Sequence, residues 1–252
     1  MDVLSLIVRG DDFGLCHAAN QAVCEAFETG LLTCASLALT GPWWAEAVAL
    51  ARDHAEWEIG WQLTLRCPTA GCRWGPVAGA AAVPTLVDAT GAFAPALPAT
   101  ADPGDIAREL DAQVEHARRW GLGPAYLEYD GDPHPGVDRE LKRLSERLGA
   151  PARMTAWGVQ PLRLAPAPAI APAVLDALAA LTAGVHLWVT HPAHDAPETW
   201  GLWPDEAVAR TRHEEFAALC SPELLAQVRA RGIELISFRQ HLETRLGTEP
   251  EE

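Results

Sequence analysis

The sequence predicts an α/β fold of the (β/α) barrel type. Short apolar strand-like segments alternate with helical ones along the chain, and carboxylates or histidines directly follow several of the strands. A length of 252 residues suits one barrel built round one core, so a single domain over residues 1–252 is expected.

Val3 to Val8 is an apolar, partly β-branched run closed by Arg9-Gly10, the pattern of a buried strand, and Asp11-Asp12 leaves its end. From His17 to about Glu28, apolar residues at 18, 19, 22, 23, 26 and 27 recur at helical spacing, and Gly30 supplies the stop. CASLALT at 34 to 40, PWWAEAVALARDH at 42 to 54 and WEIGWQLTL at 57 to 65 repeat the alternation. Strand, helix and strand in series imply parallel pairing through right-handed crossovers.

Residues 66 to 103 are rich in Ala, Gly, Pro and Thr and have little period, which reads as a long irregular excursion able to cover a site. Asp102 then caps an amphipathic helix running from Pro103 to Trp120, with Gly121 as its stop, and AYLEYD at 125 to 130 is the next strand. A helix at about 136 to 148, a short strand near 152 to 155, an Ala/Pro-rich stretch at 164 to 172 and a helix to about Leu181 follow. The strand VHLWVT at 185 to 190, helices at 204 to 219 and 222 to 231, and the strand IELISF at 233 to 238 complete the pattern, with 245 to 252 expected to be a flexible tail. Six or seven parallel strands with outer helices favour a barrel, complete or distorted. Alternation alone also permits an open doubly wound sheet.

Apolar residues make up 49% of the chain and charged ones 21%, an ordinary globular composition. The formal net charge of -15 repels phosphate backbones and anionic surfaces, so neither nucleic acid nor a membrane is an expected partner. The opening segment has no basic stretch before its short apolar run, and no run reaches the roughly 18 apolar residues of a membrane span, so a cytoplasmic protein is expected. Six cysteines at 16, 24, 34, 67, 72 and 220 are scattered and read as reduced thiols, and Cys67 and Cys72 lack the second ligand pair of a zinc site.

In a parallel barrel the carboxyl ends of the strands share one face, where catalytic side chains gather. That rule selects Asp11, Asp12, Gln62, Glu128, Asp130, Asp132, His134, His191 and His194. Adjacent Asp11 and Asp12 leave the strand in different directions, so one can bind a cation while the other handles a proton. Crowded carboxylates call for a metal or a basic residue. Alternatively the pair caps the following helix. Trp61, Trp74, Trp157, Trp200 and Trp203 lie beside the expected mouth, where aromatic faces can stack on a sugar ring.

The blocks LIVRGDDFGL, EIGWQLTL, AYLEYDGDPH, WVTHPAHD, RHEEF, CSPELL and GIELISF resemble, in order, those of the YdjC-like (ChbG/HpnK) carbohydrate deacetylase family. The resemblance implies a distorted TIM-like barrel that removes an acetyl group from an N-acetylated amino sugar, with a divalent metal orienting water and polarising the carbonyl. It implies Asp11 as general base, Asp12 as metal-binding aspartate, His191 as proton donor to the leaving amine, and Arg153 as the arginine that holds base or substrate. Arg212 and Glu215 resemble a structural pair. Trp61, Asp132, His134 and Trp157 are candidate sugar contacts.

Two departures accompany it. Gln62 stands where the family has a ligand histidine, and Asp130 and Asp132 replace histidines of a DSHxHxH-type run, leaving His134. The resulting ligand set, Asp12, Gln62 and Asp130, is all oxygen and suits a hard divalent cation, magnesium above others. The expected partner is a small carbohydrate, and a homodimer is an open expectation. The altered ligands also admit a diverged member that binds a sugar without deacetylating it.

Overall fold

The computed structural model describes residues 4–167 and 169–246. Met1 to Val3, including the expected start of the first strand, and most of the expected tail, 247–252, lie outside the described residues. The chain runs β1 (Leu4–Phe13), α1 (His17–Thr29), β2 (Cys34–Ala38), α2 (Trp44–Asp53), β3 (Ile59–Thr64), α3 (Pro103–Arg119), β4 (Leu127–Asp130), α4 (Pro135–Leu148), β5 (Gln160–Pro161), α5 (Ile170–Ala179), β6 (Gly184–Thr190), α6 (Pro197–Leu202), α7 (Glu206–Leu219), α8 (Pro222–Ala230), β7 (Glu234–Leu235) and α9 (Phe238–Leu246).

All strand pairings are parallel, in the order β4-β3-β2-β1-β6-β5, with β7 also against β1. From β1 to β4 each strand lies beside its neighbour in the chain, β5 and β6 continue on the other side of β1, and β4 and β5 form the two edges, so the sheet curls into a half-barrel flanked by helices rather than a doubly wound sheet. The expected strand at 152 to 155 shrinks to one bridge between Ala152 and Leu127, followed by a 3-10 turn at Met154–Trp157. β5, α6 and α9 are elements that the periodicity does not announce.

β1 is the centre of the sheet. Leu6 and Val8 pack in the large cluster, whereas Ile7, on the alternate face, packs with Tyr126, Met154, Leu187 and Phe238. Gly60 lets the Tyr126 ring approach β3, since a Cβ there would lie 2.1 Å from the ring. Buried Glu58 accepts hydrogen bonds from the main-chain N–H groups of Phe238 (2.8 Å) and Arg239 (2.9 Å) and so ties down the start of α9.

The excursion after β3 has little regular structure but is anchored. Glu109 of α3 accepts from the N–H groups of Val77 (3.0 Å) and Ala78 (2.9 Å), Asp105 accepts from Thr85, and Val83, Leu86 and Phe93 are buried. All six cysteines are free, and Cys67 directs its thiol to the Cys72 carbonyl oxygen. No helix of the described residues is long and apolar enough to cross a membrane.

Candidate active site

A cavity of 260 Å³ opens at the carboxyl ends of β1, β3, β4 and β6, with Asp12, Gln62, Thr64, Arg66, Asp130, His191 and Arg212 in its wall. The turn that builds it is in β1. The register against β2 shifts between Gly10 and Phe13, and Asp12 takes a left-handed backbone with φ of 65°. Aspartate tolerates that conformation better than most residues, and a bulge re-aims side chains. Asp12 therefore lines the cavity while Asp11 does not. Neither residue caps α1, a role taken by Cys16, whose sulfur accepts from Ala19 N–H.

Asp12 is held on both oxygens. Gln62 Nε2 donates to its Oδ1 at 3.0 Å and Arg212 donates to its Oδ2 at 2.7 Å. Burial opposes its ionisation, but the Arg212 charge, then that of His191, and the hydrogen bonds from Arg212 and Gln62 together hold the carboxyl at about 2. Asp130 is paired with Arg66 at 2.5 Å, and Arg66 Nε also donates to the Asp130 carbonyl oxygen at 3.2 Å. Burial and then the charge of Asp12 push the Asp130 carboxyl up, against the pull of Arg66.

His191 begins the loop after β6. Its N–H donates to Glu215 Oε2 at 2.8 Å, and its Nδ1 lies 3.9 Å from the same oxygen. The imidazole is 43% exposed at the cavity wall, reachable by substrate. Arg212 and Glu215 share the buried side of α7, and the Arg212 guanidinium carbon lies 3.6 Å from the centroid of the Trp203 ring. Of the expected structural pair, Arg212 lines the cavity and Glu215 holds the main chain of His191.

Several expected site residues lie elsewhere. Asp11 pairs with Arg9 through Nε at 2.8 Å and NH2 at 2.8 Å, and Arg9 also reaches Glu128 Oε1 at 2.9 Å, so Arg9 and not Arg153 holds this carboxylate. Arg153 pairs with Asp138 in a separate cavity that Trp157 also lines. Trp61 is fully buried: Gln62 faces the cavity, so its strand neighbour must face the other way. It cannot stack on a sugar. His134 Nδ1 accepts from Gly136 N–H at 3.1 Å and caps α4, and Asp132 is exposed outside the cavity wall. His194 faces Glu25. The aromatic residues of the wall are Trp74 and Trp203.

Arg9 and Arg66 are residues that sequence reasoning passed over, and Arg212 is one to which it gave only a structural pairing with Glu215. An arginine inside the apolar run of β1 is itself a signal, because a buried guanidinium needs carboxylates. Arg66 lies just past the end of β3, where the strand-end rule would have selected it.

The expected ligands Asp12, Gln62 and Asp130 do meet, but they do not fit a divalent cation. The N–H of Asp12 donates to Gln62 Oε1 at 2.9 Å, which fixes the orientation of the amide. Its Nε2, a donor, is thereby turned to the carboxylate, and its oxygen is engaged by the main chain. Both carboxylates already have guanidinium partners. Among the described residues no group of three or more His, Cys, Asp or Glu is arranged to hold a metal.

The sequence matches the YdjC-like protein family over residues 5–230. The chain belongs to that family. This YdjC-like chain is 32% identical over 253 residues to a carbohydrate deacetylase of Geobacillus stearothermophilus, covering 93% of the chain and 96% of that relative. A carbohydrate deacetylase of Brevibacillus brevis is 30% identical over 154 residues, 60% of this chain and 59% of its own length. The crystal structure of a candidate cellobiose-phosphate cleavage protein from Enterococcus faecalis superposes with a TM-score of 0.81 at 21% identity, over 95% of this YdjC-like chain and 99% of that one, a likeness of fold.

Proposed function

We propose that this protein is a hydrolase that removes the acetyl group from an N-acetylated amino sugar in the cavity between Asp12 and Asp130. The observation that carries the reading is the convergence of a raised carboxyl, an accessible imidazole and two guanidiniums in one small cavity. The name of the Geobacillus stearothermophilus relative, a carbohydrate deacetylase matched over 96% of its length, supports an acetylated carbohydrate as the substrate. At 260 Å³ the cavity is just below the roughly 300–1,000 Å³ of ligand pockets, a fit to one sugar ring and its substituent.

The chemistry is assigned to side chains of this chain. Asp130, whose carboxyl is pushed up by burial and by the charge of Asp12, takes a proton from water as the oxygen bonds to the acetamide carbon. Arg66 and Arg212 stabilise the oxyanion that forms. The imidazole of His191, whose main-chain N–H is held by Glu215, gives a proton to the nitrogen as the C–N bond breaks, releasing acetic acid and the amine. Proton exchange with solvent resets Asp130 and His191. Asp11 is not the base in this scheme, because Arg9 holds it outside the cavity wall. Trp74, half-buried in the wall, offers a face for the sugar, whereas the Trp203 ring carries Arg212.

The test is acetate release from N-acetylglucosamine and its short oligomers. Asp130→Asn and His191→Asn should each lower it by about a hundredfold or more while the fold is retained. Full activity in either variant removes that residue from the mechanism.

A second reading is favoured by the pairing of both cavity carboxylates with arginines: a member that binds the acetylated sugar without turnover. Saturable sugar binding with no acetate released would select it.

A further inference from the structure

We infer that this site does not hold a divalent cation, because Arg66 and Arg212 already supply to Asp130 and Asp12 the two positive charges that a dication would contribute. Each guanidinium is secured from more than one side. Arg66 bonds both the side chain and the main-chain oxygen of Asp130. Arg212 bonds Asp12, reaches the His191 carbonyl oxygen at 3.5 Å and rests on the Trp203 ring. These contacts come from β1, β4, the loop after β6 and the segment before α7, so the two cations are built into the frame of the cavity.

The balance of charge leads to the same conclusion. Asp12 and Asp130 carry two negative charges and Arg66 and Arg212 two positive ones, in a site where the side chains are between 11% and 31% exposed. A dication entering there must break both ion pairs or remain uncompensated, and uncompensated charge away from water is costly. The donor atoms are also wrong. Gln62 turns N–H toward Asp12, fixed in that sense by the main chain, and the only imidazole in the wall is that of His191. Metals that prefer nitrogen ligands have no pair of imidazoles here, and hard cations have no free carboxylate.

The inference goes beyond the proposed reaction and does not depend on it, since cation binding is measured without sugar. The purified full-length chain is assayed for bound metal by elemental mass spectrometry and titrated with Mg²⁺, Mn²⁺ and Zn²⁺ by calorimetry, with Mn²⁺ also followed by electron paramagnetic resonance. The expected result is well under one equivalent of metal and Mn²⁺ affinity weaker than about 1 mM. The variant Arg66→Gln/Arg212→Gln frees both carboxylates and should bind Mn²⁺ about tenfold or more tightly than the wild type.

One equivalent of resident metal, or micromolar binding by the wild type, overturns the inference. So does equal Mn²⁺ affinity in a folded double variant, and if that variant does not fold the wild-type titration decides. Acetate release is then compared with and without EDTA. Activity that survives chelation supports metal independence, and activity lost on chelation and regained with metal overturns it. A chain that neither binds metal nor releases acetate leaves this inference standing and removes the deacetylation reading.

Discussion

Gln62 and Asp12 are joined by two hydrogen bonds running in opposite directions, main-chain N–H to Oε1 at 2.9 Å and Nε2 to Oδ1 at 3.0 Å. A carboxylate at position 62 keeps the first bond and turns the second into repulsion. Gln62→Glu should therefore lower the unfolding free energy by about 1–3 kcal/mol in urea titrations at neutral pH. A variant as stable as the wild type would show that the pair contributes nothing.

Asp12 gives the fold a dependence on acid. Its folded carboxyl, at about 2, is depressed from the ordinary 3.8, so its contribution is complete above that ordinary value and is lost as the pH falls from there toward 2. The difference corresponds to about 2 kcal/mol. Arg212→Gln should flatten this part of the stability curve, and parallel curves for the two proteins would count against Arg212 as the cause.

Arg9 is buried between two carboxylates, Asp11 and Glu128. Arg9→Leu leaves both negative charges without a cation and should destabilise the chain by about 3–5 kcal/mol, read by thermal and urea unfolding. Adding Asp11→Asn and Glu128→Gln should restore part of that loss.

Arg153 and Arg212 should part company in the assay. Arg153 pairs with partly exposed Asp138 in another cavity, so Arg153→Ala should change stability by less than about 1 kcal/mol and acetate release by less than about twofold. Arg212→Ala removes a guanidinium from the cavity and should lower release by about a hundredfold. Equal losses would return Arg153 to the site.

Four of the residues that the strand-end rule selects share one cavity. Asp12, Gln62, Asp130 and His191 all line the cavity, because apolar runs mark buried strands and polar residues mark where they stop. The start of α3 at Asp102–Pro103 was legible for the same local reason, a capping carboxylate before a proline. What remained hidden was pairing across distance. Nothing local tells that Arg212 meets Asp12, or that Arg9 takes the Asp11 carboxylate from Arg153. The Trp61 expectation fell to a rule that was available, since adjacent strand residues cannot share a face. β5, two residues long, is too short to leave a periodic signal, and the strand expected over 233 to 238 shrinks to the two residues of β7 because α9 begins at Phe238.

The central place of β1 sets the timetable of synthesis. Its N-terminal half pairs with β6 and β7, and Asp12 meets its counterion 200 positions later in the chain. At ribosomal rates that interval lasts about 10–40 s, during which the nascent chain carries a hydrated Asp12 and a strand with one open edge. Shortening the chain before α7 therefore removes the arginine and also leaves β1 with its most polar end uncompensated.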